Sequence, residues 1–538
     1  MFKYGLLLLT YKSPHLTSVL SHVGSYLKTA NSQVSKTLYI SLESGQRFQA
    51  SHQEISVPST SELLHLVPRI YTEAHKYAPR LDVRVLHHAN YHHSAAAAST
   101  VERQLKRKLQ YSPEIIFTNE HINEDNISTF VHNQFDNLPQ KISVVRLSSD
   151  KPAEDVSSLS SPTSAQIYDN ICLGGTFDNL HNGHKIMLST SQLKCQKALT
   201  IGVTDRNMVR HKTLWELIES PEDRISKLHA YLSDIDPYIE YKITPIQDPF
   251  GPAIVDGELQ AIVVSEETIR GGHKINEIRA SKSMSQLDVD VIHMLNDGHR
   301  EHDIEEEKVS SSSLRIRKLG TLIKEPEPRP NLPTKPYIIG LTGMIASGKS
   351  SISEKLRKLG AGVVNVDLLA HQTYRSPTMP AFKEIVANFG ADVLDANGNI
   401  DRRKLGAMVF EDEAKLTQLN SIIWPKVAQL VEEEVKVLSQ KYSVIVLEIA
   451  LLIEANWLHK VHQVWLSILD EKEAIERLKN RNNLSEEEAR KRVEAFVDIH
   501  EKVQHANVIF CTLWDERITW DQVKRAWQML EDRFVKKS

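Results

Sequence analysis

The stretch YIIGLTGMIASGKS, residues 337–350, constrains this chain more than any other. An apolar run, the pattern Gly343-x-x-x-x-Gly348-Lys349-Ser350 and the helix-compatible SSISEKLRKLG form the strand–loop–helix of a phosphate-binding loop, a device that sits where a strand of a parallel sheet ends. Its glycines let backbone N–H groups wrap a β-phosphate, and Lys349 neutralises charge on the β- and γ-phosphates. The Ser350 hydroxyl can hold Mg2+, with Ser351 next to it in the ATP-binding loop. A second junction of the same general kind lies upstream, where the apolar NICL runs into Gly174-Gly175 and then TFDNLHNGHKIML. One chain therefore carries two phosphate-binding devices of different design.

At 538 residues the chain exceeds a single core. Residues 148–166 are Ser/Pro-rich and residues 323–336 are Pro-rich and charged; both read as linkers. They divide the chain into an amino-terminal segment, 1–150, a middle segment, 167–322, and a last segment, 336–538. All three alternate apolar runs with helix-compatible stretches. The expectation is an α/β chain of three segments, with a Rossmann-like nucleotidyltransferase domain and a P-loop kinase domain, both built on parallel sheets. The amino-terminal runs GLLLLT, TLYISL, DVRVLH, EIIFT and ISVVRL predict a third α/β layer without assigned chemistry. Its HHANYHHS, residues 87–94, lacks a Cys or carboxylate framework and reads as a polar loop rather than a metal site.

Formal net charge is −4, with 25% charged residues, so nothing in the bulk charge calls for nucleic acid. Three cysteines without a CxxC pair argue against a disulfide framework or zinc ribbon, and a reducing compartment is the simpler assumption. No apolar run approaches the ~18–20 residues that span a bilayer; peripheral membrane association and protein partners are left open. The first acidic residue is Glu43, behind a stretch rich in Ser, Thr and Lys, which is a compositional trait of a mitochondrial address. Yet no arginine precedes Arg47, and the apolar runs there read as strands. A cytoplasmic protein is expected, with mitochondrial association as the alternative.

In the last segment, a hydroxyl acceptor needs a carboxylate to take its proton. Asp367 in VVNVDLLAH, at the end of the next apolar strand, is the candidate base, with helix capping as its plainer role. Glu448 after YSVIVL stands where a P-loop fold places its Mg2+-orienting acid. Arg477 and Arg481 lie in a charged stretch that suits a lid, and Arg481 is the candidate for stabilising the transferring group. In the middle segment, the turn at Gly175 leaves Thr176 at a strand end. His181 and His184, three apart at a helix start, can donate to a triphosphate alongside the free N–H groups there, with His184 acting on charge at the α-phosphorus. Downstream, VSSSSLRIRKLG places Ser310, Ser311, Ser312 and Arg315 at another helix start suited to the β- and γ-phosphates.

The last segment resembles dephospho-coenzyme A kinase along nearly its full length, through GLTGMIASGKSS, NVDLLAHQ, NGNIDRRKLGAMVF, LNSIIWPKV, LEIALLIE and RLKNRNNLSEEEARKR in that order. The resemblance implies a substrate-binding role for Arg402. It departs from the family where Asn365 begins the usual Asp-x-Asp, where Trp424 precedes Pro425 in place of His, and where Glu448 replaces an Asp. The middle segment, through GGTFDNLHNGH and VVSEETIRGGHKINEIR, is similar to the phosphopantetheine adenylyltransferases of eukaryotic and archaeal type. That similarity implies phosphate contacts from Thr176, His184 and Lys212, and matches Asn276 and Arg279 to the family's Asn-x-x-Arg.

Together the resemblances imply a bifunctional enzyme ending coenzyme A synthesis. 4′-Phosphopantetheine and ATP would give dephospho-CoA and pyrophosphate; a second ATP, with Mg2+, would phosphorylate the ribose 3′-hydroxyl to give CoA and ADP. Two alternatives are a nicotinamide-mononucleotide adenylyltransferase fused to a ribosyl kinase, and a scaffold whose catalytic folds have decayed.

Overall fold

The computed structural model describes residues 1–11, 16–44, 48, 58–88, 106–119, 122–147, 165–410, 412–494 and 499–535. The described chain forms two compact units, residues 1–313 and 314–538, and three five-stranded sheets. Every strand pair within them is parallel.

The first unit holds two sheets. One contains β1 (Phe2–Tyr11), β2 (Val34–Ser44), β3 (Asp82–Leu86), β4 (Ile115–Thr118) and β5 (Ser143–Arg146), in the order β3-β2-β1-β4-β5. The other contains β6 (Tyr168–Gly175), β7 (Cys195–Thr204), β8 (Glu240–Ile246), β9 (Ala261–Ser265) and β10 (Asp288–Ile292), in the order β10-β9-β6-β7-β8. Burial on both faces explains their apolar runs. In β1, Leu7 and Leu9 enter one core while Leu6 and Leu8 enter the other. In β6, Ile171 and Leu173 point one way and Cys172 the other. GLLLLT and TLYISL are thus buried strands. Segment 1–150 and the middle segment as far as residue 313, read as separate in sequence, close into one unit because they share a core: Ile186 and Leu193 of the helix Asn182–Lys194 lie among the apolar side chains of the amino-terminal body.

The second unit carries β11 (Tyr337–Gly343), β12 (Gly362–Asn365), β13 (Val444–Glu448), β14 (Gln463–Ile468) and β15 (Val508–Cys511), ordered β12-β13-β11-β14-β15. Ile339 and Leu341 pack with Trp465 and Phe510 on one face; Ile338 packs with Ile445 and Leu447 on the other. The stretch 323–336 is not simply a free linker. At its start Gly320 N–H donates to the Ile509 carbonyl and Ile323 N–H to that of Asn507, so residues 320–323 run along the outer edge of β15. The unpaired N–H and C=O row of an edge strand offers those bonds.

Linker residues 148–164 lie outside the described residues, as do His92 and His93 of the histidine-rich stretch. His87 and His88 are buried rather than looped in solvent; His87 pairs with Asp236 and His88 with Glu43. Among the described residues no cluster of three or more His, Cys, Asp or Glu could hold a metal, and no helix is long and apolar enough to cross a membrane. All three cysteines are free and buried.

Candidate active sites

β6 and β11 are each the central strand of their sheet, with the chain leaving to opposite sides, so each ends at the crevice where an open α/β sheet binds ligands. The two phosphate devices sit at those ends.

At the end of β6, His181 is the N-cap of the helix Asn182–Lys194, its Nδ1 accepting from His184 N–H at 3.3 Å. The two imidazoles stack, centroids 3.8 Å apart. A Cβ at Gly175 would crowd the Phe177 ring, which itself lies beside His184, so that glycine lets the strand end close on the aromatic pair. Burial drives the His181 pKa well down, aided by His184 and nearby Lys185, and drives His184 to about 4, aided by Lys212. Both rings are therefore neutral near pH 7, and His184 Nδ1 is buried without a hydrogen-bond partner among the described residues. Such a group is poised for a ligand. Thr176 Oγ1 accepts from Thr204, and the buried Arg224 donates to the carbonyls of both Thr176 and Thr204, tying the ends of β6 and β7 together. Arg224 was not legible in sequence, since nothing in PEDRISK separates a buried arginine from a solvated one.

The serine run forms the start of the helix Ser311–Lys318. Ser310 Oγ accepts from Ser313 N–H, and Ser311 Oγ donates to the Asp178 carbonyl at 2.5 Å, which ties this helix start to the GGTFD turn. Ser312 follows in the first turn; Arg315 is buried, at 1% exposure. Lys212 follows a short helix, its N–H on the Val209 carbonyl, and acts on His184. Asn276 and Arg279 both bond backbone groups of their own domain. The Asn276 amide engages both the N–H and the carbonyl of Leu287, and Arg279, fully buried, donates to the carbonyls of Ser285, Ala253 and Asp256. These bonds brace the connection between β9 and β10, while Arg279 Nη2 is buried without a hydrogen-bond partner among the described residues.

At the end of β11, Gly343 has φ +152° and Gly348 φ +82°, and a Cβ at Gly343 would run into the Ser467 carbonyl. The loop therefore needs glycine at both ends. Lys349 Nζ donates to the Gly343 and Met344 carbonyls, curling back over the loop, and burial pushes its pKa down to about 8 against the pull of Asp367 and Glu448. Ser350 Oγ donates to Glu448 Oε1 at 2.6 Å. A hydroxyl and a carboxylate meeting in this way are hard oxygen donors suited to Mg2+, which keeps water and phosphate oxygens as its other ligands. Ser351 Oγ accepts from Lys355. Ser347 Oγ is buried without a partner among the described residues, an unforeseen loop donor.

Asp367 lies one residue into the helix Val366–Gln372, not at the strand end; β12 stops at Asn365. Asn365 is the cap, accepting from Leu368 N–H, so capping is not the work of Asp367. Both Asp367 oxygens receive the Ala450 N–H, while burial, reinforced by Glu448, raises its pKa. Arg402 opens its helix and acts on Tyr374 and His371; burial, with Arg402, brings His371 to about 4. Arg481 is exposed near the end of its helix and donates to Asn482. Arg477 is the arginine that touches the loop, bonding the Ala346 carbonyl and Thr512.

These two ends define a nucleotidyltransferase-type α/β body followed by a P-loop phosphotransferase. Family models match residues 3–143 as COASY N-terminal domain, 172–317 as cytidylyltransferase-like and 337–512 as dephospho-CoA kinase. The chain is 42% identical over 186 residues to a dephospho-CoA kinase of Shouchella clausii, covering 34% of this chain and 94% of that one. It is 43% identical over 173 residues to that of Geobacillus kaustophilus, covering 32% and 85%. A Thermus thermophilus crystal structure is 30% identical, with TM-score 0.33, covering 37% of this chain and 98% of that one. The chain belongs to the dephospho-CoA kinase family, and its three matched domains together mark it as a bifunctional coenzyme A synthase.

Proposed function

We propose that the chain catalyses two successive steps: adenylyl transfer from ATP to 4′-phosphopantetheine in the middle body, then phosphorylation of the dephospho-CoA 3′-hydroxyl in the last. In the first step a phosphate oxygen attacks the α-phosphorus, the new P–O bond forms, and the bond to the β-phosphate breaks to release pyrophosphate. That nucleophile is already ionised, so no base is required. His184, neutral and with an unpartnered ring nitrogen, donates to the phosphates beside the free N–H groups of its helix, with Thr176, Lys212 and the Ser310–Ser312 turn around the triphosphate.

In the second step the 3′-hydroxyl loses its proton to Asp367 as its oxygen bonds to the γ-phosphorus and ADP leaves. A carboxyl lifted by burial is the better proton acceptor. Lys349 and the loop N–H groups hold the β- and γ-phosphates, Arg402 the acceptor, and Arg481 closes from the lid. Mg2+, held by Ser350 and oriented by Glu448, would neutralise phosphate charge when bound.

The observation carrying this reading is the contrast in proton acceptors: neutral, buried histidines with no carboxylate bonded to them among the described residues at one strand end, a buried carboxylate interacting with Lys349 at the other. Incubation with 4′-phosphopantetheine, ATP and Mg2+, followed by mass spectrometry, should yield dephospho-CoA and CoA. Adenylylation of nicotinamide mononucleotide with phosphopantetheine left untouched would overturn the substrate assignment.

A further inference from the structure

The two sheets of the first unit have the same construction. Counted from its own first strand, each runs 3-2-1-4-5 with all strands parallel. In β1, Gly5 faces the first residue of β4; in β6, Ile171 faces the first residue of β9. Aligned on that register, the following helices begin at equivalent places, Leu16 and Asn182. Thr10 then takes the place of Thr176, but Leu9 replaces Gly175 and Ser18 replaces His184. The amino-terminal body repeats the topology of the nucleotidyltransferase body, with the Gly175 and His184 positions of the phosphate grip replaced.

That copy holds the working one at its catalytic helix. Lys185, the residue after His184, is 2% exposed and sends its ammonium to Asp82 Oδ1 at 2.6 Å and the Val83 carbonyl at 2.9 Å, both on β3. Arg84 bridges Asp82 to Asp234 at 2.7 Å each, extending the tie to the helix Pro221–Ile235, where Tyr231 meets Tyr71. Successive residues on a helix point about 100° apart. One turn of this helix therefore carries the phosphate-facing histidine on one side and the anchored lysine on another, and Asp82 sets both its rotation and its height. Burial works against the charge of Lys185, and Asp82 opposes that loss; a misplacement of about 1 Å at such a site can cost about a hundredfold in rate.

We propose that Asp82 is a positioning residue of the adenylyl-transfer site, supplied by the amino-terminal copy to fix the helix Asn182–Lys194 through Lys185. This rests on the adenylyl-transfer reading above. The test uses full-length protein, assayed for dephospho-CoA formation from 4′-phosphopantetheine and ATP and, on the same sample, for 3′-phosphorylation of added dephospho-CoA. Asp82→Asn should lower adenylyl-transfer kcat at least tenfold with KM for phosphopantetheine within threefold, leave kinase turnover unchanged, and be largely rescued by Asp82→Glu. Because an unpaired buried ammonium can unfold the unit, Asp82→Leu/Lys185→Met removes both charges together. It should keep the wild-type melting temperature and still lose at least tenfold in kcat. Wild-type kcat in that double variant, while the wild-type protein is active, overturns the proposal alone. A wild-type protein that makes no dephospho-CoA overturns the reading beneath it and the proposal with it.

Discussion

The two proposed phosphate cradles differ less in what would grip the nucleotide than in what surrounds the grip. At the end of β6 burial strips charge from imidazoles, whose orphaned nitrogen is left to meet a ligand. At the end of β11 burial lifts a carboxylate towards proton affinity and lowers a lysine towards neutrality. The same desolvation thus makes donors in one place and an acid–base pair in the other, because it always penalises whichever form is charged.

The sharpest way to break that contrast is Asp367→Asn, which should cut 3′-phosphorylation by about 10²–10⁴-fold and leave adenylyl transfer intact; equal loss of both activities would show the sites are coupled. His184→Ala should do the reverse, lowering dephospho-CoA formation by about 10²–10³-fold with the kinase untouched. Next in size is pH. Asp367 acts ionised and its pKa is raised, so kinase kcat/KM should fall about tenfold per unit below that pKa, on a limb lying above the usual aspartate range. Lys349 acts protonated, so the same quantity should fall again as pH rises through about 8. Adenylyl transfer should show no step from His184 between pH 6 and 9, because that ring, with a pKa of about 4, stays neutral throughout. The smallest effect is Asn276→Ala, which should cost about 1–3 kcal/mol of stability through the unsatisfied Leu287 backbone and leave KM for phosphopantetheine unchanged.

The parts legible in sequence were those whose chemistry forces a local pattern. Gly343 and Gly348 announce a loop because few other residues adopt those backbone angles, and His181 and His184 announce a helix start because their spacing closes one helical turn. Asp367 was singled out by need, since a hydroxyl acceptor calls for a base. What stayed hidden were groups whose meaning comes from distant partners. Lys185 looks like an ordinary surface lysine until Asp82, a hundred and three positions earlier, is beside it. A buried arginine bonded to carbonyls, as Arg279 is, and an exposed one reaching a phosphate leave the same letter in the chain. The cap of the helix Val366–Gln372 stayed hidden for a similar reason: Asp367 or Asn365 can cap, and only the bond from Leu368 N–H to Asn365 decides.

The short run at 320–323 laid along β15 bears on how the kinase half can be isolated. A fragment started at the apparent domain boundary, residue 336, would leave a bare ladder of amide donors and acceptors, an invitation to pair with its own kind and come out of solution. Starting at residue 314 would carry the natural guard strip along with it.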